Sequence, residues 1–566
     1  MPERAATPDD STAAGPAPAE KRTRTGEATV AAATTAATAA TAATAATAEA
    51  VADAERLCAD TMETPRLDPW YLSDEFTAAF GAAFSDTART EDLVVRQPGN
   101  GPCEGILTGQ PFHTGRLRHV LPAEFLRSLR AELSGLAWRE RHNDLYWFHQ
   151  TDDLALNGLQ HVKALRQYLA GDEFVGFMEK LTGVQLSRGY LDMAAQRYKK
   201  GNHLLCHDDD VHRGELTRRI AYIIYLVDDA WGAQDGGALG LFDTDAAGLP
   251  RNVVARLVPE FNSMGFFLTG LASYHTVEEV TVPDDARERW SVTGWFYGPV
   301  SRDTAAHAQN SSAPLPPATL PPMRSLEQSA SADTAAAAAR WINADYLQPA
   351  TQTRVQDAFL AQSSVELRGF LLPSAFAAVR AELDTQFWAS AKEVGPAHLR
   401  RYLEADAAQA PSAVADLLAF LRSEEFAQLL TRLTSLDLVG ASQQLRRFAR
   451  GHYTLMHDEA IEPPGLDATL ALLPLGESAW DDACGGAMHY VADKDELLRV
   501  APEPNSLSLV LRDEGTMRFV KYLSHTAPPS GREEIAMVFA EADEASEEDE
   551  AGEADDADEA DEADEA

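Results

Sequence analysis

Residues 219–227 carry the sequence RIAYIIYLV, in which branched and aromatic side chains follow one another without a break up to Asp228. Such side chains favour strands, and a short apolar run bounded by polar residues is typical of a strand buried on both faces. Similar runs at 266–268 and 290–296 are bounded by Gly, Pro and Asp. These three segments predict buried strands in this part of the chain.

A helical pattern precedes the predicted strands. Apolar residues at positions 121, 125, 126, 129 and 133 recur at roughly helical spacing, and Pro122 lies where a helix can begin. We therefore expect a helix over 121–133. Helices followed by strands are typical of helices packed on an antiparallel sandwich, so the predicted fold class is mixed α+β and mainly β.

Ordered motifs of the first half recur in the second half at a nearly constant spacing. One of them, Leu121-Pro122-x-x-Phe125, recurs 251 residues later as Leu372-Pro373-x-x-Phe376. Further pairs are Arg197-Tyr198-x-Lys200-Gly201 with Arg447-Phe448-x-Arg450-Gly451, Trp231 with Trp480, Gly236-Gly237-Ala238 with Gly485-Gly486-Ala487, and Pro259-Glu260-x-Asn262-Ser263 with Pro502-Glu503-x-Asn505-Ser506. Matches that keep one order through both halves predict a duplicated domain.

Three low-complexity segments separate the predicted domains. The Ala/Thr-rich segment 1–64 and the acidic segment 542–566 have almost no aromatic or branched apolar side chains to bury, so we expect both to be disordered tails. Proline and alanine dominate 302–339, which is typical of an interdomain linker. The remaining blocks, 65–301 and 340–541, each have the size of a domain.

The charge of the chain excludes one class of partner. Its 566 residues include 48 Lys and Arg against 88 Asp and Glu, a net charge of −40, and the last 26 residues hold 16 of the acidic side chains. A protein that binds free duplex nucleic acid needs basic residues to replace counterions at the phosphates, so we expect no such binding. A basic protein would instead be attracted over long range.

The sequence favours an intracellular location. Its four cysteines are scattered and form no Cys-x-x-Cys pair, which is typical of reduced thiols. No apolar run approaches the roughly 18 residues of a membrane span, and no signal-peptide pattern is seen, so we expect neither membrane insertion nor secretion. The cluster Lys21-Arg22-Thr23-Arg24 is a weak candidate for nuclear import, so the expected location is cytoplasmic and/or nuclear.

One histidine motif has the spacing of a metal site. His207 and Asp209 lie two residues apart, so on a strand both side chains would point to the same side, and His275 follows later in the chain. Two imidazoles and one carboxylate bind one face of a metal and leave three octahedral positions open, as non-haem Fe(II) oxygenases require. A second His-x-Asp pair, His142 and Asp144, has no counterpart in the second half, and we interpret it as a surface or capping cluster.

Arg289 supports this interpretation. It lies 14 residues beyond His275, next to the predicted strand 290–296. An oxygenase that uses a 2-oxo dicarboxylate must bind the far carboxylate of that cosubstrate, and a guanidinium does so through two parallel charge-assisted hydrogen bonds. The alternative is an arginine on the protein surface.

At these residues the sequence resembles the Fe(II)- and 2-oxoglutarate-dependent prolyl hydroxylases that modify the decoding-centre protein of the small ribosomal subunit. The matching residues are Tyr198, Leu204-Leu205-Cys206-His207-Asp208-Asp209, Arg218-Arg219-Ile220-Ala221, Tyr225-Leu226-Val227, Gly236-Gly237, His275 and Arg289-x-Ser291-x-x-Gly294-Trp295-Phe296. The resemblance implies two tandem double-stranded β-helix domains of the jelly-roll, cupin-like type, each flanked by helices. It implies that 65–301 is the catalytic oxygenase domain and that 340–541 is a degenerate, non-catalytic one.

The resemblance also implies a cofactor set and the residues that bind it. His207, Asp209 and His275 are implied to be the Fe(II) ligands. Arg289 is implied to anchor a carboxylate of 2-oxoglutarate. Molecular oxygen is the other implied cosubstrate, and ascorbate is expected to support turnover.

Four neighbouring residues receive weaker assignments. Tyr198 is implied to help hold the 2-oxoglutarate carboxylate and Tyr225 to line the site, although an aromatic residue at a strand start is more often part of the core. We expect Trp295 to pack near the site without binding the metal. His212, just beyond the motif, is expected to be an exposed neighbour of the ligands.

The second half retains only part of this set. His457, Glu459, His525 and Arg532 occupy the matching positions, but Phe448 replaces the phenol of Tyr198 and the interval from histidine to arginine is 7 residues in place of 14. We expect no working site here. The second half is expected to brace the first and to present a surface to protein partners.

The function implied by the resemblance is hydroxylation of a prolyl residue, at ring carbon 3, of the decoding-centre protein, with an effect on translation. Two alternatives stay open at this point. The chain could be a non-catalytic interaction protein that binds basic partners through its second half and acidic tail, or an oxygenase that acts on a small molecule.

Overall fold

The computed structural model describes residues 63–300, 322–326, 334–458, 464–476, 480–493 and 495–542. The predicted tails 1–64 and 542–566 lie outside the described residues except at their inner ends, as does most of the predicted linker 302–339. The basic cluster at 21–24 and Glu459 also lie outside them. None of the described helices combines the length and apolar character needed to cross a membrane.

Ten α-helices lie in the described part of the chain. In chain order they are α1 (Asp74–Ser85), α2 (Ala123–Ser134), α3 (Gln160–Leu169), α4 (Asp172–Thr182), α5 (Thr334–Trp341), α6 (Pro349–Gln362), α7 (Pro373–Glu382), α8 (Thr385–Ala389), α9 (Ser412–Leu421) and α10 (Glu424–Thr434). Short 3-10 helices lie at Pro98–Asn100, Leu154–Leu156, Ala233–Asp235, Ala344–Leu347, Ala407–Gln409 and Asp482–Cys484. The predicted helix over 121–133 is α2, which begins directly after Pro122 because that proline ends the preceding extended segment.

The strands of the first half form one antiparallel sheet. They are β1 (Leu93–Arg96), β2 (Glu104–Thr108), β3 (Thr114–Arg118), β4 (Arg139–His142), β5 (Tyr146–Gln150), β6 (Ala194–Tyr198), β7 (His203–His207), β8 (His212–Arg213), β9 (Leu216–Tyr225), β10 (Leu239–Thr244), β11 (Pro250–Leu257), β12 (Ser263–Leu268), β13 (His275–Val277) and β14 (Arg289–Pro299). Their order is β1-β2-β3-β12-β9-β14-β6-β5-β7-β13-β10-β11, with β4 beside β5 and β8 beside β9. The predicted buried strands are β9, β12 and β14, and they are neighbours.

The strands of the second half form a large and a small antiparallel sheet. They are β15 (Arg324–Ser325), β16 (Ser364–Arg368), β17 (Lys392–Val394), β18 (Arg400–Ala405), β19 (Leu438–Phe448), β20 (Tyr453–Thr454), β21 (Gly465–Ala471), β22 (Met488–Ala492), β23 (Asp495–Val500), β24 (Ser506–Arg512), β25 (Met517–Val520) and β26 (Arg532–Glu541). The large sheet has the order β16-β24-β21-β26-β19-β18-β17, and the small one has β23-β22-β25. The predicted class, mixed and mainly β with antiparallel pairing, is confirmed.

The expected order of helices before strands is wrong for the first half. Strands β1, β2 and β3 precede α2, and β3 pairs with β12, so that Gly115 lies opposite Phe266. Each of these early strands is only four or five residues long and mixes apolar with charged or small side chains. Their strand conformation depends on a partner far along the chain, and local sequence patterns do not reveal such a partner.

An asparagine makes the same contacts in each half. Asn262 accepts a hydrogen bond from Leu121 N (3.1 Å) and donates one to Leu121 O (2.7 Å). Asn505 makes the same pair of bonds with Leu371, both at 2.9 Å. Both asparagines have a positive φ, 57° and 55°, a conformation that asparagine tolerates better than most residues. The repeated Pro-Glu-x-Asn-Ser motif therefore ties a strand start to the chain that leads into a helix.

We expect Asn262→Ala to lower the free energy of unfolding by about 1–3 kcal/mol, because both backbone groups of Leu121 would lose a buried partner. Urea denaturation measures this loss, and Asn505→Ala should give a loss of similar size. The variant Asn262→Gly tolerates the positive φ and isolates the hydrogen-bond contribution. Equal stability of Asn262→Gly and the parent protein would contradict the expectation.

The two halves contact each other, and the residues from Thr64 onward form one unit. Met456 N of the second half donates a hydrogen bond to Asp144 Oδ2 of the first (2.8 Å), and Lys521 Nζ lies 2.8 Å from His142 Nε2. The interpretation of this His-x-Asp pair as a surface cluster is therefore wrong for Asp144, which is buried, whereas His142 is exposed. The burial of Asp144 requires the second half, which a local motif does not reveal.

Candidate active site

Two neighbouring strands bring the three predicted metal ligands together. His207 ends β7 and lies directly opposite His275, the first residue of β13, with ring centroids 4.2 Å apart. Asp209 follows two residues after His207, just beyond the strand end. Its Oδ2 lies 3.4 Å from His275 Nε2 and its Oδ1 lies 3.9 Å from His207 Nε2. Within the described residues, this is the group of His, Cys, Asp or Glu side chains close enough to share one metal ion.

Backbone carbonyls orient both imidazoles. His207 Nδ1 lies 2.8 Å from Leu205 O, and His275 Nδ1 lies 2.9 Å from Ser273 O. A proton on each Nδ1 donates to its carbonyl and leaves the Nε2 lone pair free to bind a metal, which is the usual arrangement of histidine ligands. The tautomer that a metal needs is therefore favoured before the metal arrives.

The ionisation states also suit a divalent metal. Burial, with a smaller contribution from His275, lowers the pKa of His207 to about 4, so the ring is neutral near pH 7. Burial alone would raise the pKa of Asp209, but His275 and His207 outweigh it and hold that pKa below its usual value. Two imidazoles and one carboxylate are the donor set of non-haem Fe(II) sites, so these residues fit the metal.

Arg289 is buried close to this centre with part of its guanidinium unused. The side chain is 1% exposed, and its Nε donates a hydrogen bond to Gly237 O (2.7 Å). Its Nη2 is buried and makes no hydrogen bond within the described residues. Tyr225 Oη and Ser291 Oγ are likewise buried without a partner there. Buried polar groups normally find partners, so these three suit a ligand with several acceptor oxygens, such as a carboxylate.

Strand pairing places the predicted tyrosines around Arg289. Tyr198 lies opposite Arg289, and Tyr225 lies opposite Ser291, two residues along the same strand. The guanidinium carbon lies 5.1 Å from the centre of each tyrosine ring. Tyr198 Oη donates to Gln196 Oε1 (3.2 Å), so its hydroxyl has a protein partner, unlike that of Tyr225.

Ser291 was not assigned a role from the sequence. The signal that could have found it is its spacing, because residues two apart on a strand share one face and Ser291 follows Arg289 by two. Gly237 was also assigned no role from the sequence. A Cβ at Gly237 would lie 2.7 Å from Arg289 Cδ, and its φ of 68° favours glycine, so this position lets the arginine approach the backbone.

A cavity of about 390 Å³ opens over the metal centre. Its polar lining residues are Arg141, Tyr146, Gln150, Gln196, His207, Asp209, Arg218, His275, Thr293 and Trp295, and its apolar ones are Leu145, Phe148, Leu204, Ala221, Ile223, Leu239, Phe267 and Val277. Gln196 both lines the cavity and accepts the Tyr198 hydroxyl, so the metal centre and the Arg289 pocket adjoin.

Trp295 lies at the cavity, whereas His212 lies on the surface. Trp295 lines the cavity, and the guanidinium carbon of Arg218 lies 3.6 Å from the centre of its ring. His212 is exposed, and its Nε2 lies 3.6 Å from Asp210 Oδ1, apart from the three metal-binding candidates. Arg218 was not singled out from the sequence, although its Nη1 lies 4.0 Å from Asp209 Oδ1.

The arginine pocket of the second half is filled by the protein itself. The same strand register pairs Arg289 with Tyr198 and Ser291 with Tyr225 in the first half, and Arg532 with Phe448 and Glu534 with Ala471 in the second. Arg532 Nη1 still donates to a glycine carbonyl, Gly486 O (2.6 Å). However, Arg532 Nε donates to Glu534 Oε2 (2.5 Å), so this guanidinium is already neutralised.

The remaining ligand candidates of the second half do not converge on a metal position. His457 is exposed. His525 Nδ1 lies 2.7 Å from Glu279 Oε1, a carboxylate of the first half. Glu459 lies outside the described residues. Within the part of the chain that the structure describes, the second half therefore presents no metal-binding triad.

Comparison with known proteins gives consistent matches along the chain. A family model described as "2OG-Fe(II) oxygenase superfamily" matches residues 193–297, and one described as "Oxoglutarate and iron-dependent oxygenase degradation C-term" matches residues 334–549. The prolyl 3-hydroxylase OGFOD1 of Xenopus laevis is 34% identical over 459 residues, covering 74% of this chain and 84% of that protein. The mouse prolyl 3-hydroxylase OGFOD1 is 31% identical over 527 residues, covering 78% and 91%.

Other relatives are more distant. A prolyl 3,4-dihydroxylase OGFOD1 of Ostreococcus tauri is 29% identical over 503 residues, covering 75% of this chain and 94% of that protein. Among solved structures, a Pseudomonas putida prolyl-4-hydroxylase is 21% identical with a TM-score of 0.26, covering 38% of this chain and 97% of that one.

Proposed function

The chain belongs to the family of Fe(II)- and 2-oxoglutarate-dependent prolyl hydroxylases, and on that basis we propose that it hydroxylates ring carbon 3 of a prolyl residue in the decoding-centre protein of the small ribosomal subunit. The chemistry common to the family is that of an enzyme that uses Fe(II), 2-oxoglutarate and O2. The observation that carries the proposal is the metal-binding triad beside a buried arginine with an unused hydrogen-bond donor.

Each residue of the site has a defined task in this proposal. Fe(II) with 2-oxoglutarate and O2 supplies the oxidation that inserts one oxygen atom into a C–H bond, with release of succinate and CO2. His207, Asp209 and His275 hold the metal and leave open positions for the cosubstrates. Arg289 binds the far carboxylate of 2-oxoglutarate through Nη2, and the free hydroxyls of Tyr225 and Ser291 donate to the same group.

The cavity walls keep the reaction away from water. Apolar lining residues border one metal-ligand candidate, since the ring of Phe267 lies 4.8 Å from that of His275 and Leu239 lies opposite Val277, two residues beyond His275. Such a lining excludes water that would otherwise compete with the prolyl ring for the oxidising species. Gln150 and Arg141 offer hydrogen-bonding groups to the backbone of a peptide that enters the cavity.

Three considerations support a ribosomal substrate. Two relatives that are matched over more than four fifths of their length are named prolyl 3-hydroxylases, and a third is named a prolyl 3,4-dihydroxylase, which supports a protein substrate. Residues of both halves resemble the family that modifies the decoding-centre protein. A chain with a net charge of −40 attracts a basic protein over long range, and ribosomal proteins are basic. This substrate would place the enzyme in the cytoplasm or nucleus.

We also propose that the two halves are tandem double-stranded β-helix domains and that the second does not catalyse hydroxylation. The shared register around Arg289 and Arg532 and the matching contacts of Asn262 and Asn505 support the duplication. The internal ion pair of Arg532 with Glu534 supports the loss of cosubstrate binding, because it neutralises the arginine.

The test is succinate formation by purified protein supplied with Fe(II), ascorbate, 2-oxoglutarate and a peptide spanning the decoding-centre proline. We expect peptide-dependent succinate and a peptide mass increased by one oxygen atom. A peptide with alanine in place of that proline and the His207→Ala protein are the controls, and both should give no product. Slow, peptide-independent loss of 2-oxoglutarate would contradict the proposed protein substrate and would still support the iron-dependent chemistry.

A further inference from the structure

Glu279 is a buried carboxylate of the first half that is bound by the second. It lies two residues beyond the end of β13 and is 7% exposed. Its side chain accepts four hydrogen bonds, from Ser524 Oγ (2.5 Å), His525 Nδ1 (2.7 Å), His525 N (2.8 Å) and Tyr522 Oη (3.3 Å). All four donors belong to one loop of the second half.

The backbone around Glu279 connects the metal ligand to the arginine pocket. Its carbonyl accepts a hydrogen bond from Gly237 N (3.1 Å), and Gly237 O in turn accepts the Arg289 Nε proton. The adjacent Val280 accepts a hydrogen bond from Gly201 N and donates one to Asn202 O. Residues 201–202 form the turn that leads into β7. The segment that follows His275 therefore touches both ligand strands and the glycine that receives Arg289.

The same loop of the second half also contacts the start of β7. The ring of Tyr522 stacks on that of His203, with centroids 4.1 Å apart and an angle of 30° between the planes. His203 begins the strand that ends at His207. Farther along β7, Leu205 packs in a cluster with Tyr453 and Leu455 of the second half.

We propose that Glu279 is a positioning residue for the metal centre, through which the second half fixes the strands that carry His207 and His275. His525, which donates a hydrogen bond to Glu279, occupies the position in the second half that matches His275 in the first. In this proposal the imidazole of His525 binds no metal and instead stabilises the segment that follows β13, the strand that carries His275. Loss of a group bonded directly to a metal ligand typically weakens metal binding about 10–100-fold, and Glu279 acts one step farther out, on the strands that carry the ligands.

The test measures Mn(II) binding, with Mn(II) as a redox-stable probe of the iron site, by the electron paramagnetic resonance of the free ion. We expect Glu279→Ala to raise the Mn(II) dissociation constant about 10-fold, the lower end of the range for groups bonded directly to metal ligands. Glu279→Gln keeps one accepting oxygen and should give a smaller increase, and Ser524→Ala should weaken binding from the opposite side of the interface. Hydrogen exchange at the amides of β13 should accelerate in Glu279→Ala.

The control for simple destabilisation is Leu430→Ala, a fully buried leucine of α10 in the helical layer of the second half. This variant should lower the unfolding temperature yet bind Mn(II) like the parent protein. Parent-like Mn(II) affinity in both Glu279 variants, or an equal loss in Leu430→Ala, would overturn the positioning role.

The inference rests on the proposed iron site but not on the proposed peptide substrate, because no peptide is present in the measurement. His207→Ala distinguishes the two failures. If His207→Ala binds Mn(II) as tightly as the parent, the iron site itself is misplaced. If His207→Ala loses binding while Glu279→Ala keeps it, only the positioning role falls.

Discussion

The variant Arg289→Met is expected to lose 2-oxoglutarate binding while it keeps the metal. The guanidinium is buried and its Nη2 has no acceptor among the described residues, whereas the guanidinium of Arg218, which also lies beside the metal-ligand candidates, is 4.0 Å from Asp209 Oδ1 and packs on the ring of Trp295. Two charge-assisted hydrogen bonds to a carboxylate are worth about 3–6 kcal/mol, so the dissociation constant of 2-oxoglutarate should rise by a factor of roughly 100 or more. Anaerobic titration calorimetry with Mn(II)-loaded protein measures it.

The matched control is Arg532→Met in the second half. Arg532 has the same strand register and the same kind of bond to a glycine carbonyl, but its charge is neutralised by Glu534. We expect this variant to lose stability, because one of the two buried arginines bonded to Glu534 is removed, with no change in cosubstrate affinity. Tight 2-oxoglutarate binding by Arg289→Met, or its loss in Arg532→Met, would contradict the assignment.

The variant Asp209→Asn is expected to lose both tight metal binding and turnover. The substitution keeps the size of the side chain and removes the single negative charge among the three ligand candidates. Loss of an outer contact costs about 10–100-fold in metal affinity, and loss of a direct charged ligand should cost more than that. Equilibrium dialysis against Mn(II) and the succinate assay are independent readouts.

The corresponding control is His457→Ala, which alters the exposed histidine of the second half. It should leave Mn(II) stoichiometry and affinity unchanged. A stoichiometry that falls from two ions to one in His457→Ala would mean that the second half binds metal, contrary to our proposal. Retention of parental Mn(II) affinity in Asp209→Asn would show that its carboxylate is not a ligand.

The sequence was sufficient to predict the parts of the site that depend on short spacings. His207 and Asp209 are two residues apart, and the same motif recurs in the second half at His457, which marked it as part of the repeat. The strands β9 and β14 were predictable because each contains several branched and aromatic side chains close together. These signals are local, so periodicity and composition detect them.

The features that escaped prediction depend on residues far apart in the chain. Asp144 is buried because Met456 N, 312 residues away, donates to it, and Glu279 is engaged by a loop about as distant. Such pairings follow from the assembled sheets and leave no trace in a short window of sequence.

The ion pair between Arg532 and Glu534 also limits how the second half can change over evolutionary time. Glu534 also accepts from Arg446, so replacing it by the serine found at position 291 leaves two buried guanidinium groups without a counter-charge. Restoring a tyrosine at 448 or 471 first would add bulk beside an intact ion pair. On our proposal that the second half does not catalyse hydroxylation, each of these single substitutions toward a cosubstrate pocket is expected to lower stability before it restores binding, so the change is difficult to reverse one residue at a time.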